Sequence, residues 1–265
     1  MSYQAVRYET RGDVAILTLN VPERLNAIGR QLREDVTAAV AEAHADDAVR
    51  ALILTGEGRG FCSGADLSGP RPPPGEGPSQ NARLDQDHWV GRWAKMWAGF
   101  DKPLIGAING VAAGAGMSTA LACDVRIGSE HARFKTVFLE RSLSPDSGMS
   151  YFLPRIVGYA RAADLIFTSR AVDAEEAYRL GLLDRLVKHE NLLDEALAYA
   201  RQMTRWPPLA LRSAKRVLQH GFDADLDQAL FYELVGLDVA RRAPNDVKES
   251  GLAFREKRPG VFTGT

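Results

Sequence analysis

The chain has 265 residues, 45% of them hydrophobic and 25% charged, with 33 basic against 34 acidic side chains. That length suits one large domain, or one domain with a small appendage. The even charge argues against a nucleic-acid partner, no apolar run approaches the ~20 residues that span a bilayer, and Cys62 and Cys123 are too few for a disulfide framework.

The N-terminus has no basic start followed by an apolar stretch, so it does not read as a secretory signal. With both thiols free, the expected compartment is a reducing cytoplasm. The apolar, β-branched run 14–19 reads as a strand, followed by a turn signal at 20–22. Over 30–45, Leu32, Val36, Ala39, Val40 and Ala43 recur at helical spacing. Short buried strands are expected at 51–55, 103–108 and 124–127, with an alanine-rich buried helix over 111–123. Strands alternating with helices imply an α/β core with a largely parallel sheet. After about residue 194 the strand signal stops, and 192–204, 209–220 and 226–241 read as helices. The expected division is a core over 1–195 and a helical region over 196–265.

The segment 68–83, SGPRPPPGEGPSQNAR, has no apolar face and reads as an exposed loop, either a surface insertion or a flap beside a site. Trp89, Trp93 and Trp97 recur every four residues in a helix expected over 88–100. That stripe serves either core packing or the wall of a ligand pocket.

Two glycine-rich segments carry the chemistry. Gly60-Phe61-Cys62-Ser63-Gly64-Ala65-Asp66-Leu67 follows one strand, and Asn109-Gly110-Val111-Ala112-Ala113-Gly114-Ala115-Gly116 follows another and opens a helix. Small residues let a ligand approach the backbone, and helix-start N–H groups favour developing negative charge. An enolate needs such donors ~3 Å from its oxygen. Alone, each segment is also consistent with an ordinary glycine turn.

The pair, with its order and flanks, resembles the crotonase (enoyl-CoA hydratase/isomerase) superfamily. The likeness continues through Pro22-Glu23-Arg24-Leu25-Asn26-Ala27, the 102–110 strand, Ala122-Cys123-Asp124-Val125-Arg126, Leu153-Pro154-Arg155-Ile156-Val157-Gly158, the 174–187 stretch and Phe254-Arg255-Glu256-Lys257-Arg258. The resemblance implies an α/β spiral of ββα units with a C-terminal helical trimerisation region, assembled as a homotrimer or a hexamer. It implies an acyl-CoA substrate, with coenzyme A entering as part of that substrate and no permanently bound cofactor. The Ser63 and Ala115 N–H groups would form the oxyanion hole. Residues Ser63, Gly64, Ala65, Asp66 and Leu67, with Gly114, would line the acyl-pantetheine path. Leu25 and Ala27 would meet the adenine, and Phe254 and Lys257 would contact coenzyme A from a neighbouring subunit. Position 115 is often glycine in the family, and alanine there requires a negative φ.

The family's hydratase pattern puts glutamates where this chain has Ser118 and Phe138. Phenylalanine transfers no proton and serine is a poor base unassisted, so two-glutamate hydration is not expected; Ser118 would face the acyl site or the helix packing, and Phe138 the acyl group. In several family branches an aspartate at the place of Asp146, within Ser144-Pro145-Asp146-Ser147-Gly148, is an acid–base. One base suffices for a double-bond shift. Asp146 reads equally as an N-cap of the helix that follows. Glu140 would enter the site on a register shift, or else pair with Arg141 or Arg133 or stay solvated. The leading expectation is an acyl-CoA double-bond isomerase with Asp146 as acid–base. The alternatives are a non-catalytic acyl-CoA binding protein and a displacement enzyme with Asp146 as nucleophile.

Other motifs fall away. Gly116-Met117-Ser118-Thr119-Ala120 resembles a nucleophile elbow, but His44, His88, His131, His189 and His220 show no triad context. The glycines of 110–116 run G-x-x-x-G-x-G rather than G-x-G-x-x-G. No metal is expected, because the histidines and cysteines lack zinc spacing.

Overall fold

Apolar side chains on both faces of its strands dictate where the main sheet sits. In the computed structural model, which describes residues 3–68 and 79–265, Val14, Ile16, Ala51, Ile53, Ile105 and Ala107 point to one face, and Ala15, Leu17, Leu52, Leu54, Leu104 and Ile108 to the other. That double burial is characteristic of parallel strands covered on both sides.

The elements run β1 (Val6–Arg11), β2 (Val14–Leu19), α1 (Arg30–Ala45), β3 (Ala51–Gly56), β4 (Gly60–Cys62), α2 (Gln80–Leu84), α3 (His88–Ala98) and β5 (Leu104–Ile108). They continue with β6 (Val111–Ala113), α4 (Ala115–Leu121), β7 (Val125–Ser129), β8 (Arg133–Lys135), α5 (Met149–Val157), α6 (Tyr159–Thr168), β9 (Val172–Asp173) and α7 (Ala174–Leu180). The chain ends with β10 (Arg185–Val187), α8 (Leu192–Thr204), α9 (Pro208–Gly221), α10 (Leu226–Ala240) and α11 (Pro244–Glu256).

Among the described residues two sheets result, ordered β1-β2-β3-β5-β7-β10 and β4-β6-β8-β9. In them, the β1–β2 and β8–β9 pairs are antiparallel and the rest parallel. From β3 to β8 successive strands go alternately to the larger and the smaller sheet, so the chain winds as a spiral. The expected α/β spiral of ββα units is therefore the fold. The smaller sheet and the helices α1 and α3–α7 fill the core on one face of the larger sheet. On the other face Leu192, Ala196, Leu197 and Ala200 of α8 are buried.

Three expectations are corrected. The helix read over 111–123 begins only at Ala115, because Val111–Ala113 pairs as a strand between β4 and β8. A division at 195/196 falls inside α8, whose apolar stripe closes the main sheet. Within the segment read as a loop, Gln80–Leu84 is a helical turn, with the Ser79 hydroxyl accepting from the Ala82 N–H at 3.2 Å. The rest of that segment, 69–78, lies outside the described residues. Beyond α8, α9 and α10 pack closely, with Gly236 against Val217 and the Ser213 hydroxyl donating to the Gly236 carbonyl at 2.8 Å. The outer side of α10 leaves Leu230, Phe231, Leu234, Val235 and Leu237 exposed.

Candidate active site

Three adjacent parallel strands of the smaller sheet, β4, β6 and β8, end at one cleft. Ligands of parallel α/β sheets commonly bind outside the carboxyl ends of strands. The cleft has a volume of about 590 Å³ and receives residues 63–68 after β4, Gly114 and Ala115 after β6, and Val137, Phe138, Leu143 and Asp146 after β8. Arg24 and Ala27, from the loop after β2, complete its rim.

Glycine is required where the first two segments touch. Gly64 has φ +95°, and a Cβ there would meet the Ala113 carbonyl oxygen at 2.7 Å and the Ala115 nitrogen at 3.5 Å. A Cβ on Gly116 would lie 2.0 Å from the Cys62 carbonyl oxygen. These glycines bring two backbones together before they serve any ligand. Behind them, buried Asn26 and Asn109 brace the turn between β3 and β4. The Asn26 amide donates to the carbonyls of Glu57 and Gly60, and the Asn109 amide to those of Gly58 and Gly60.

Hydrogen bonding decides which backbone donors are free. The Ser63 N–H donates to the Leu25 carbonyl at 2.9 Å, which removes it from the expected oxyanion pair. Ala65 forms an isolated parallel bridge with Ile28, made by the Ile28 N–H to Gly64 and the Asp66 N–H to Ile28. The Ala65 N–H is left with no partner among the described residues. It is a free donor in that segment, next to the glycine that packs against Ala115. Ala115 opens α4 with a negative φ, as its alanine requires, and its N–H has no intrahelical acceptor and no other partner among the described residues.

Asp146 lines the cleft and does not cap α5. The N-cap of that helix is Gly148, without a side-chain cap bond. The Asp146 Oδ1 accepts from the Ser147 hydroxyl at 3.0 Å. Burial pushes its carboxyl above the ordinary value, against a smaller lowering by that hydroxyl. Glu140 also borders the cleft but pairs with Lys135 at 2.7 Å, not with Arg141 or Arg133, and this contact holds its carboxyl below the usual range. The Asp66 carboxylate is lowered by Ser68 and Arg24, whose hydroxyl and guanidinium it accepts at 2.7 Å each.

Several expected residues sit elsewhere. Ser118 is buried, away from the cleft lining, and its hydroxyl donates to the Asp146 backbone carbonyl at 3.3 Å. Leu25 serves the cleft indirectly, through the carbonyl that holds Ser63. Phe254, 86% exposed, and Lys257 line a different groove, beside Trp206 and Phe262. None of the three tryptophans reaches the cleft. Trp93 and Trp97 are buried edge to face, the Trp93 Nε1–H donates to the Thr119 hydroxyl at 2.7 Å, and Trp89 lies under Arg33. The stripe packs core.

Sequence reading missed Val137, Leu143, Arg24 and Arg141 as lining residues, and the bracing role of Asn26. Only Asn26 and Arg24 carried a signal, as members of the 22–27 motif.

Comparison with known proteins gives the family and the fold. The enoyl-CoA hydratase/isomerase family model matches residues 9–265. A probable enoyl-CoA hydratase of Rhodobacter capsulatus is 36% identical over 267 residues, covering 100% of both chains. The 1,2-epoxyphenylacetyl-CoA isomerase of Escherichia coli is 36% identical over 251 residues, 95% of each chain. The crystal structure of a probable enoyl-CoA hydratase/isomerase from Mycobacterium abscessus superposes with a TM-score of 0.87 at 35% identity, covering 98% of each chain.

Proposed function

The chain belongs to the enoyl-CoA hydratase/isomerase family, and on that footing we propose that it shifts a carbon–carbon double bond within an acyl-CoA thioester. Asp146 is the single acid–base, and the Ala65 and Ala115 N–H groups hold the thioester oxygen. The Asp146 carboxylate removes a proton from the α- or γ-carbon of the acyl group. The released electron pair forms a new C=C bond and moves charge onto the thioester oxygen, where two fixed N–H donors stabilise it. The protonated Asp146 then returns the proton to the other carbon, and the thioester carbonyl re-forms. The balance closes without water, metal or redox cofactor.

The observation that carries this reading is the Asp146 carboxyl, raised by burial and lining the cleft that Ala65 and Ala115 border. A carboxylate shifted toward neutrality serves as both base and acid. Two-glutamate hydration, which the name of the Rhodobacter capsulatus relative would suggest, is disfavoured because Ser118 and Phe138 are not carboxylates and Glu140 is engaged with Lys135. The Escherichia coli relative is named for isomerising an epoxide-bearing coenzyme A thioester, which supports isomerisation on a thioester but names no double-bond shift. The test is proton exchange and double-bond migration over 2-enoyl and 3-enoyl thioesters, in wild type and Asp146→Asn. Binding without exchange in wild type would make the chain an acyl-CoA binding protein.

Assembly into a trimer, or a dimer of trimers, fits the exposed apolar side of α10. In that arrangement Phe254 and Lys257 reach the coenzyme A held by a neighbouring copy. The two buried, unpaired thiols suit a reducing cytoplasm.

A further inference from the structure

Ser147 occupies a backbone conformation that serine seldom adopts. Its φ is +52°, it is buried, and it is followed by Gly148 at φ +85°. A non-glycine residue in the left-handed region is held there by its surroundings, and such outliers cluster at working sites. Standing just before α5, this serine offers no cap bond to the helix. Its hydroxyl turns back instead and donates to Oδ1 of the preceding Asp146 at 3.0 Å. Oδ2 is left with no protein partner among the described residues.

We propose that Ser147 is a positioning residue, holding Oδ1 of Asp146 so that Oδ2 alone takes up and returns the migrating proton. This rests on the isomerase reading above. A carboxylate with one oxygen fixed cannot turn to exchange its two oxygens, so a proton taken on Oδ2 stays beside the carbanion face it left. The other charged groups on the cleft leave this device alone. Asp66 is paired with Arg24, Glu140 with Lys135, and Arg141 makes no bond to Asp146. The hydroxyl also lowers the Asp146 carboxyl somewhat, against the rise from burial.

The test measures turnover of a 3-enoyl-CoA thioester in deuterated water by Ser147→Gly and Ser147→Ala. The glycine variant removes the hydroxyl and suits the left-handed backbone, so it folds. The expected result is a kcat lower by roughly tenfold in both variants, the worth of one hydrogen bond to a charged group. KM stays near the wild-type value, deuterium uptake per double-bond shift rises, and the acid limb of the rate profile moves to higher pH. Wild-type kcat, uptake per shift and pH limb in Ser147→Gly would overturn the proposal, whether or not Ser147→Ala is impaired. Failure of the isomerase reading shows separately, as Asp146→Asn retaining wild-type exchange.

Discussion

The Ser118 hydroxyl donates to the backbone carbonyl of Asp146 at 3.3 Å, joining α4 to the loop that enters α5. The same carbonyl accepts the Met149 N–H at 2.9 Å. Ser118 therefore supports the loop that carries the aspartate. α4 then contributes both the Ala115 donor and an anchor for Asp146, separated by one helical turn.

Ser118→Ala should cost about 0.5–1.5 kcal/mol of stability, the net worth of one intramolecular hydrogen bond. The Met149 bond keeps the loop in place, so activity falls only a few-fold. Urea unfolding and steady-state kinetics check both expectations. An inactive but fully stable variant would give Ser118 a direct chemical role.

Gly64→Ala should be far more damaging. The residue has φ +95°, and its new Cβ would press on the Ala113 carbonyl. Strain of this kind costs about 1–3 kcal/mol. Relief by separation of the 63–67 and 113–116 backbones would also pull the Ala65 and Ala115 donors apart. Loss of one oxyanion donor costs about 10²–10³ in kcat. Stability to denaturant and kcat should fall together, and wild-type kcat in this variant would contradict the donor pair.

Much of the fold is legible in the sequence, and the reasons are specific. β2, β3 and β5 are apolar β-rich runs, and α1 and α8–α10 carry clear helical periods. The strands β4, β6, β8 and β9 have only two or three residues each, too few for any period to show. That brevity hides β6 inside an alanine-rich stretch that reads as helix. At the site, Asp146 is legible only through the family resemblance, because its local motif reads equally as a helix cap. The choice between Ser63 and Ala65 is not, because it depends on Leu25 and Ile28, nearly forty residues away in sequence. The tryptophan period predicts a helix face but not which neighbour that face meets.

Thr119→Val isolates the tryptophan question. It leaves the buried Trp93 Nε1–H without its acceptor, at a cost of about 1–3 kcal/mol. If the stripe is core, the melting temperature drops while substrate preference is unchanged. A changed preference among acyl groups would return the tryptophans to the pocket.

Asp146 should oppose stability at neutral pH. Burial raises its carboxyl above the ordinary 3.8, so the folded protein keeps this proton to higher pH than the unfolded chain. Its contribution is fully present below 3.8 and is lost as pH rises through the elevated folded-state value. Asp146→Asn should therefore unfold at higher urea than wild type at neutral pH, with the gap closing as pH falls toward 3.8. A gap independent of pH would mean that the carboxyl is not desolvated.

The central claim, that Asp146 moves the proton, is tested most directly by NMR of enoyl-CoA thioesters in deuterated water with wild type and Asp146→Asn. The account predicts deuterium uptake and double-bond migration in wild type. In the variant both fall by about 10²–10⁴, the usual worth of a positioned acid–base, while the thioester still binds. Equal exchange in the two proteins would contradict it and move the proton transfer to another group.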